Sequence, residues 1–139
     1  MRADLPGAHF IDGSWDARGE QWTRANPAHP AEKIGSFPSA GPEQVGAAVA
    51  AARRAAPAWR AAGAIKRGAI VERLGALLER HADDIATAIS AEHGKTLVEA
   101  KSEVARAVEL ARYAAGMGRR YGGKTLPSDT PKTLSATDR

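Results

Sequence analysis

The first forty residues alternate between short apolar runs and turn signals. In "HFIDGSWD" the pair Asp12 and Gly13 stands between apolar residues, which favours a hairpin or strand reversal. A second run, "EQWTRANPAHP", closes at Asn26, because the residue before a proline is disfavoured in helical conformation. A third run covers residues 33–39. The pattern predicts three short strands joined by turns, within a strand region of about residues 8–40.

From residue 42 the apolar positions recur every three or four residues, which is the helical period. Gly41 offers a permissive N-cap and Pro42 suits the first helical position. Pro57 lacks a backbone N–H and is predicted to kink or end this first helix. A second helix is predicted to begin after Gly63 and stop at Gly94. Its apolar stripe comprises Ile70, Leu74, Leu77, Leu78, His81, Ile85 and Ala88.

The third helix has the clearest beginning. Thr96 and Glu99 have the spacing of a capping box, in which each side chain satisfies an orphan backbone N–H. Gly122 and Gly123 are predicted to end this helix, so the helical region covers about residues 42–121. A β-capable run at residues 133–137 follows without a visible partner. The helix stripe comprises Leu97, Ala100, Val104, Val108, Ala111 and Ala115.

The amino-acid composition limits the size of the hydrophobic core that these elements can form. Apolar residues make up 43 % of the 139 residues, but alanine supplies a large share and aromatic residues only 5 %. Alanine favours helix and buries little area, so the core is expected to be thin. The fold class expected from the pattern is α+β and mostly helical, with three amphipathic helices after the strands and one short C-terminal strand.

Charge and hydropathy exclude some partners. Twenty Lys and Arg against sixteen Asp and Glu give a net charge of +4, but the signs are interspersed, as in "VERLGALLERHADD". Interspersed charge is typical of solvated helix faces, whereas a nucleic-acid binder, the alternative, usually adds aromatic side chains. Residues 1–7 lack the apolar stretch of a signal peptide, and Arg53, Arg54 and Pro57 interrupt the alanine-rich run 46–62. A cytoplasmic protein without nucleic-acid or membrane partners is expected.

Few residues suggest chemistry. The absence of cysteine excludes disulfides, cysteine-ligated zinc and thiol nucleophiles within these 139 residues. The glycines from Gly116 to Gly122 resemble a nucleotide loop faintly, but they follow a helix rather than a strand, which favours helix packing and unwinding. A lone His81 on the apolar face is more often a tucked or partly exposed histidine than a metal ligand. It cannot share an ion with His93, which lies about 120° around the helix.

Several segments in order resemble the NAD(P)-dependent aldehyde dehydrogenases. They include "FIDGSWD", "ANPAHPAEKIGSFPSAGPEQVGAAVAAARRAAPAWR" and "GGKTLPS", and the most specific is "EHGKTLVEAKSEV". The resemblance covers about residues 10–139 and the N-terminal portion of the family's α/β fold. "GKTLVEAKSEVARAV" and "GGKTLPS" favour the branch that acts on semialdehydes. The whole of residues 1–139 is therefore expected to be an N-terminal segment of such a domain, from a truncated or frameshifted gene or a partial gene model.

The resemblance implies a reaction whose active groups lie outside the matched stretch. The family uses a cysteine thiolate to attack the aldehyde, an asparagine and a backbone N–H to hold the oxyanion, and a glutamate to activate water. Asn26 matches the family's early "NP" turn instead. No catalytic or cofactor-binding residue is therefore expected here. NAD or NADP and the aldehyde substrate are expected to bind only in the full-length context, and this chain alone is expected to be inactive.

The resemblance leaves one candidate metal site and one candidate interaction. Some members bind a monovalent cation through backbone carbonyls and an acidic side chain that matches Glu103, for which an ion-paired or solvated role is the alternative. The run at about residues 132–139 resembles the start of an oligomerisation strand. The helix stripes are patterned for a sheet that the chain does not encode, so marginal stability is expected. Association with dehydrogenase subunits follows, and a stand-alone helical interaction module is the competing hypothesis.

Overall fold

A strand-rich N-terminal segment precedes a layer of helices, and a strand pair follows the last helix. The structure, a computed structural model, describes residues 5–120, 123–127 and 134–137. The strands in these residues are β1 (Leu5–Pro6), β2 (His9–Ile11), β3 (Ser14–Asp16), β4 (Gln21–Asn26), β5 (His29–Pro38), β6 (Lys124–Pro127) and β7 (Leu134–Thr137). The helices are α1 (Pro42–Ala61), α2 (Ala64–Arg80), α3 (Ala82–His93) and α4 (Leu97–Met117).

Strands β2 and β3 form an antiparallel hairpin, as the Asp12 and Gly13 signal predicts. Both turn residues have positive φ, 52° and 79°, which is the geometry of the tight turn that follows the twist of the strands. Phe10 pairs with Trp15 across the hairpin, with ring centroids 4.8 Å apart. The first predicted strand is therefore two strands.

The second sheet has three strands in the order β1-β5-β4. Strands β4 and β5 are antiparallel, and Trp22 lies opposite Phe37 with ring centroids 5.4 Å apart. Strand β5 starts four residues before the predicted position. Strand β1 runs parallel to β5, with Leu5 opposite Gly35, and was not predicted, because two residues are too few to show an alternating pattern. The count of three N-terminal strands is therefore wrong.

Helix α1 begins as predicted, with Gly41 as N-cap and Pro42 in the first turn. Of the two effects predicted for Pro57, the end of the helix is wrong, since α1 continues to Ala61, and the kink stays a prediction. A proline inside a helix leaves the carbonyl four residues earlier, here that of Arg53, without its N–H donor. No residue of α1 is buried, so water can reach that carbonyl and the interruption costs less than it would in a core.

The single helix predicted between Gly63 and Gly94 is two helices. They meet at His81, whose φ of −104° and ψ of 19° depart from helical values. Asp83 and Asp84 then occupy the first turn of α3, where carboxylates complement the positive end of the helix dipole. These two acidic residues are the feature of the local sequence that indicates the start of a second helix. The predicted stop at Gly94 is confirmed, with φ of 80° in the left-handed region.

Helix α4 carries the centre of a thin core. Its capping box is formed as predicted, because Thr96 Oγ1 accepts from the Glu99 N–H and Glu99 Oε2 accepts from the Thr96 N–H at 3.0 Å. The helix ends at Met117, ahead of the predicted glycine pair, of which Gly122 lies outside the described residues. The buried cluster joins α3 to α4 through Ala86, Ala100 and Val104, with Ala82, Ile85 and Ile89 packed against it.

The run predicted at residues 133–137 does have a partner, so the expectation of an unpaired strand is wrong. Strand β7 pairs antiparallel with β6, with Leu126 opposite Ser135. Thr133 lies outside the described residues. Strand β6 reads "KTLP", and its lysine, threonine and proline hide the alternation by which a strand is usually predicted.

Candidate functional site

The turn after β4 lies against the end of α3. Arg24 Nη2 donates to the Glu92 carbonyl oxygen at 3.0 Å, across 68 positions of sequence. A Cβ atom added at Gly94 would come within 3.0 Å of Pro27 Cγ and 3.2 Å of the Ala28 nitrogen. The two sequence segments "ANPA" and "EHGK" are therefore in direct contact, and only glycine combines the positive φ of residue 94 with this approach.

Asn26 holds the turn in place. Its side chain is nearly buried, Oδ1 accepts from the Ala28 N–H at 2.9 Å, and Nδ2 donates to Glu32 Oε2 at 2.9 Å. An asparagine that accepts from the backbone two residues later forms an Asx turn. Both ends of the amide are thus used by the chain itself, so Asn26 acts in the structure as a turn residue.

Glu103 lies beside the loop between α3 and α4. Its Oε1 accepts from Lys95 Nζ, and the Lys95 side chain is only 17 % exposed. The Lys95 carbonyl oxygen accepts from Ser90 Oγ at 2.8 Å. An ammonium group on the carboxylate repels another cation, so the arrangement fits the ion-paired alternative better than a cation site. The assignment of a monovalent cation to Glu103 stays a prediction.

Two carboxylates have lowered pKa values, and both serve local structure. The Thr96 hydroxyl and backbone N–H donate to Glu99 and hold the pKa of its carboxyl below the usual value. The Arg18 guanidinium and N–H donate to Asp16 and lower the pKa of Asp16 to about 2. Each group stays ionised at neutral pH, and neither is tuned for proton transfer there.

Helices α2 and α4 leave a groove where they cross. Its volume is about 300 Å³, and Glu72, Arg112 and Arg119 place charges on a wall that is otherwise apolar or glycine. Arg112 Nη2 contacts Glu79 Oε2 at 2.5 Å beside it. The remaining lining residues are Ile65, Gly68, Ala69, Ala115 and Gly116.

The glycine at the end of α4, Gly118, packs against the start of α2. A Cβ atom at Gly118 would lie 2.5 Å from the Ala64 carbonyl oxygen, and Gly118 is the C-cap of α4. Gly118 thus allows close helix contact at the carbonyl end of α4, where the exposed groups are acceptors. The helix-packing interpretation is confirmed for Gly118, whereas a Cβ atom at Gly116 would meet only the Arg120 side chain.

The described residues bring no metal-binding group together. His81 Nδ1 lies 4.0 Å from Asp84 Oδ2 with its side chain 55 % exposed, and His93 lies in the last turn of α3. Within residues 5–120, 123–127 and 134–137, no three His, Asp or Glu side chains converge as a metal site would require. In the same stretches, no helix has both the length and the apolarity needed to cross a membrane.

The fold is a small sheet that precedes a layer of helices, with the segments "ANPA" and "EHGK" joined between them. The aldehyde dehydrogenase family profile matches residues 15–139, and the chain belongs to the aldehyde dehydrogenase family. The NADP(+)-dependent succinate-semialdehyde dehydrogenase GabD of Escherichia coli (strain K12) is 41 % identical over 120 residues, 85 % of this chain and 25 % of that protein. The alpha-ketoglutaric semialdehyde dehydrogenase of Bacillus subtilis (strain 168) is 35 % identical over 94 % of this chain and 27 % of its own length.

Solved structures agree with these relatives. A succinate-semialdehyde dehydrogenase from Burkholderia pseudomallei has a TM-score of 0.82 at 34 % identity, over 91 % of this chain and 26 % of that one. An NAD-dependent benzaldehyde dehydrogenase from Corynebacterium glutamicum has a TM-score of 0.80 at 32 % identity, over 91 % and 28 %. The chain spans about a quarter of the length of the curated relatives it matches. The expectations of a mostly helical fold and of the family's N-terminal portion are confirmed.

Proposed function

We propose that this chain supplies the N-terminal portion of an NAD(P)-dependent semialdehyde dehydrogenase, an enzyme that oxidises an aldehyde group to a carboxylic acid. The observation that carries the proposal is the ordered match of about nine-tenths of the chain to semialdehyde dehydrogenases of which it spans a quarter. Glutarate-semialdehyde dehydrogenases of two Pseudomonas species, each 36 % identical, also match. A short dicarboxylic semialdehyde is therefore the proposed substrate class of the whole enzyme.

The residues present here act as supports rather than as reacting groups. The contact between Arg24 and the Glu92 carbonyl joins the N-terminal sheet to the helices, and the Asn26 turn rests on Gly94. The close approach of Gly68 and Gly118 to the neighbouring helix keeps α2 and α4 together. A layer of this kind supports the elements of the enzyme that position its reacting groups. A displacement of about 1 Å of such groups can lower the rate about 100-fold.

The 139-residue polypeptide is proposed to be inactive by itself. Thioester-forming oxidation of an aldehyde requires a thiolate nucleophile, and the sequence contains no cysteine. NAD or NADP and the aldehyde are proposed to bind to the remaining portion of the enzyme, whether that portion is joined to this chain or separate. The cytoplasm is the proposed compartment, and nucleic acids and membranes are not proposed as partners.

A split-enzyme experiment tests this proposal. The Escherichia coli succinate-semialdehyde dehydrogenase would be expressed without the 120-residue stretch that matches this chain, alone and together with the 139-residue chain. We expect NADPH to form from succinic semialdehyde and NADP+ only when both polypeptides are present. The 139-residue chain alone should form no NAD(P)H from any aldehyde.

Two results would contradict the proposal. Aldehyde-dependent NAD(P)H formation by the purified 139-residue chain would disprove its inactivity. Failure of co-expression to restore activity, while the removed stretch of the Escherichia coli enzyme itself restores it in trans, would disprove the supporting role. Tight binding of the 139-residue chain to an intact dehydrogenase, with no restoration of the shortened one, would favour the competing hypothesis of a stand-alone interaction module.

A further inference from the structure

Helices α2 and α4 run antiparallel where they form the groove described above. Gly68 of α2 lies against the Ala115 carbonyl oxygen of α4. Further along, a Cβ atom at Gly118 would lie 2.5 Å from the Ala64 carbonyl oxygen, so the end of α4 meets the start of α2. Because glycine has no Cβ atom, the two backbones touch at both places and close the floor of the groove. The side chains that flank these contacts form its walls.

The end of the groove towards the middle of α2 carries a net negative charge. Glu72 lines this end, and Gly75, about one turn further along α2, lies beside Arg112 of α4. Arg112 Nη2 is already bound to Glu79 Oε2 at 2.5 Å. Glu72 has no cationic group within ion-pair distance in residues 5–120, 123–127 and 134–137. Two carboxylates therefore accompany one guanidinium, and this end can receive a further cation.

The opposite end of the groove carries a positive charge. Arg119 lines it, next to Ile65 at the start of α2. The neighbouring Arg120 donates to the carbonyl oxygens of Tyr113 and Gly116, at 3.3 and 3.4 Å, and is thus engaged by the backbone of α4. No carboxylate of the described part of the chain lies within ion-pair distance of Arg119. Arg119 can therefore receive an anion.

The two charged ends are about 10 Å apart along the helix axes. Seven residues separate Ile65, at the Arg119 end, from Glu72, and each residue of a helix advances about 1.5 Å. The wall between the two ends includes the methyl groups of Ala69 and Ala115. A ligand with a single charge would satisfy one end only. A ligand with opposite charges at its two ends, joined by an apolar chain, would satisfy both.

We propose that the groove binds a small, elongated zwitterion, with an ammonium group at Glu72 and a carboxylate at Arg119. The aliphatic chain between these charges lies over Ala69 and Ala115. A guanidinium can hold a carboxylate by two parallel hydrogen bonds, and an ammonium group donates strongly to a carboxylate. A dicarboxylate is a poorer occupant, because Glu72 and Glu79 would repel its second carboxylate. This inference goes beyond the proposed function and does not rest on it.

The binding experiment uses 6-aminohexanoate as the zwitterionic probe. Its nitrogen and carboxyl carbon are about 7 Å apart when the chain is extended, so with its terminal hydrogen bonds it can span the groove. Hexanoate and hexylammonium, at equal ionic strength, are the controls with a single charge. We expect 6-aminohexanoate to shift the Arg119 Nε–Hε resonance of the 139-residue chain saturably and to bind about tenfold or more tightly than either control.

Two charge-removing variants should respond in a crosswise manner. Glu72→Gln should weaken binding of 6-aminohexanoate about tenfold and leave binding of hexanoate unchanged. Arg119→Gln should weaken 6-aminohexanoate equally and leave hexylammonium unchanged, with the Glu72 carboxyl carbon as the NMR probe. Arg106→Gln and Glu109→Gln are the matched controls, because these side chains are 71 % and 68 % exposed on α4 and pair with each other outside the groove. Neither control should change any of the three affinities.

Each other outcome overturns the inference. Equal affinities for the three compounds would show that the two ends do not act together, and loss of all binding in both groove variants would show that the crosswise response is absent. The titrations are repeated with the shortened Escherichia coli enzyme added. Saturable binding in neither sample overturns the inference, as does binding that the added enzyme abolishes, because another part of the subunit would then fill the groove. Restored activity is a separate readout, so failure of the proposed function leaves these affinities interpretable.

Discussion

Gly68 in α2 lies against the carbonyl oxygen of Ala115 in α4, so that a Cβ atom at residue 68 would overlap this backbone oxygen. Gly68→Ala should therefore push the two helices apart and destabilise the chain by about 1–3 kcal/mol. The midpoint of urea unfolding, followed by circular dichroism, measures the loss. Gly46→Ala is the matched control, because Gly46 is also helical but has open space around it, and should stabilise by about 0.5–1 kcal/mol. Equal effects of the two variants would argue against close contact between α2 and α4.

The capping box at the start of α4 predicts that two hydroxyl residues, when replaced by alanine, differ in the stability that is lost. Thr96→Ala removes the acceptor for the Glu99 N–H and should cost about 1 kcal/mol. Ser102→Ala removes only a bond from an exposed hydroxyl to the Val98 carbonyl and should change stability by less than about 0.5 kcal/mol. The midpoints of urea unfolding of the two variants measure these two losses of stability. A Ser102 effect as large as that of Thr96 would contradict a specific role for the cap.

The contact between Arg18 and Asp16 predicts how the Asp16 carboxyl titrates. The folded-state pKa of about 2 lies below the ordinary value of 3.8, so ionised Asp16 stabilises the folded chain above pH 3.8, and this contribution is lost as the pH falls towards 2. Arg18→Gln should raise the pKa of Asp16 towards 3.8, as read from its carboxyl carbon by NMR. Arg106→Gln should leave this titration unchanged. An Asp16 titration that is the same with and without Arg18 would refute the assigned cause.

The pairing of Lys95 with Glu103 allows a test for a monovalent cation. With the Lys95 ammonium in place, potassium chloride and tetramethylammonium chloride of equal ionic strength should have the same effect on the melting temperature. In Lys95→Met the Glu103 carboxylate is released, and potassium should then stabilise the chain specifically if the backbone carbonyls nearby can complete a site. Lys95→Met combined with Glu103→Gln is the control. A potassium-specific effect already present in the unchanged chain would show that the ion pair is not the resting arrangement.

The exposed apolar side chains predict weak stability for the separate chain. The buried cluster between α3 and α4 centres on Ala86, Ala100 and Val104, while Leu74 and Ile65 are about half exposed. We expect a broad thermal transition and binding of a hydrophobic dye before unfolding. Addition of the shortened dehydrogenase should sharpen the transition. A sharp cooperative melt of the purified monomer would contradict this expectation.

Local signals in the sequence predicted the local features correctly. Asp12 and Gly13 predict the hairpin. Gly41 and Thr96 predict the starts of two helices, and Gly94 predicts the end of a third. In each case a side chain or a backbone preference within four residues determines the conformation.

Features that depend on distant residues were missed. The parallel pairing of Leu5 with Gly35 and the partner of β7 leave no periodic mark in their short strands. The apolar stripe continues through His81 and therefore gives no sign of the break there, and Asp83 and Asp84 also fit the solvated helix face that interspersed charge indicates. At the candidate site, Asn26 was correctly assigned to a turn, but nothing near Arg24 in the sequence indicates its bond to Glu92.

The bond from Arg24 to the Glu92 carbonyl also bears on the order of folding. Closing a loop of 68 residues has an entropic cost that a local hairpin does not have, so this contact should form late. During synthesis the β4–β5 turn leaves the ribosome long before the end of α3 exists. The turn therefore cannot make this contact until the end of α3 has been synthesised. The N-terminal sheet should become protected from amide hydrogen exchange only after α3 has formed.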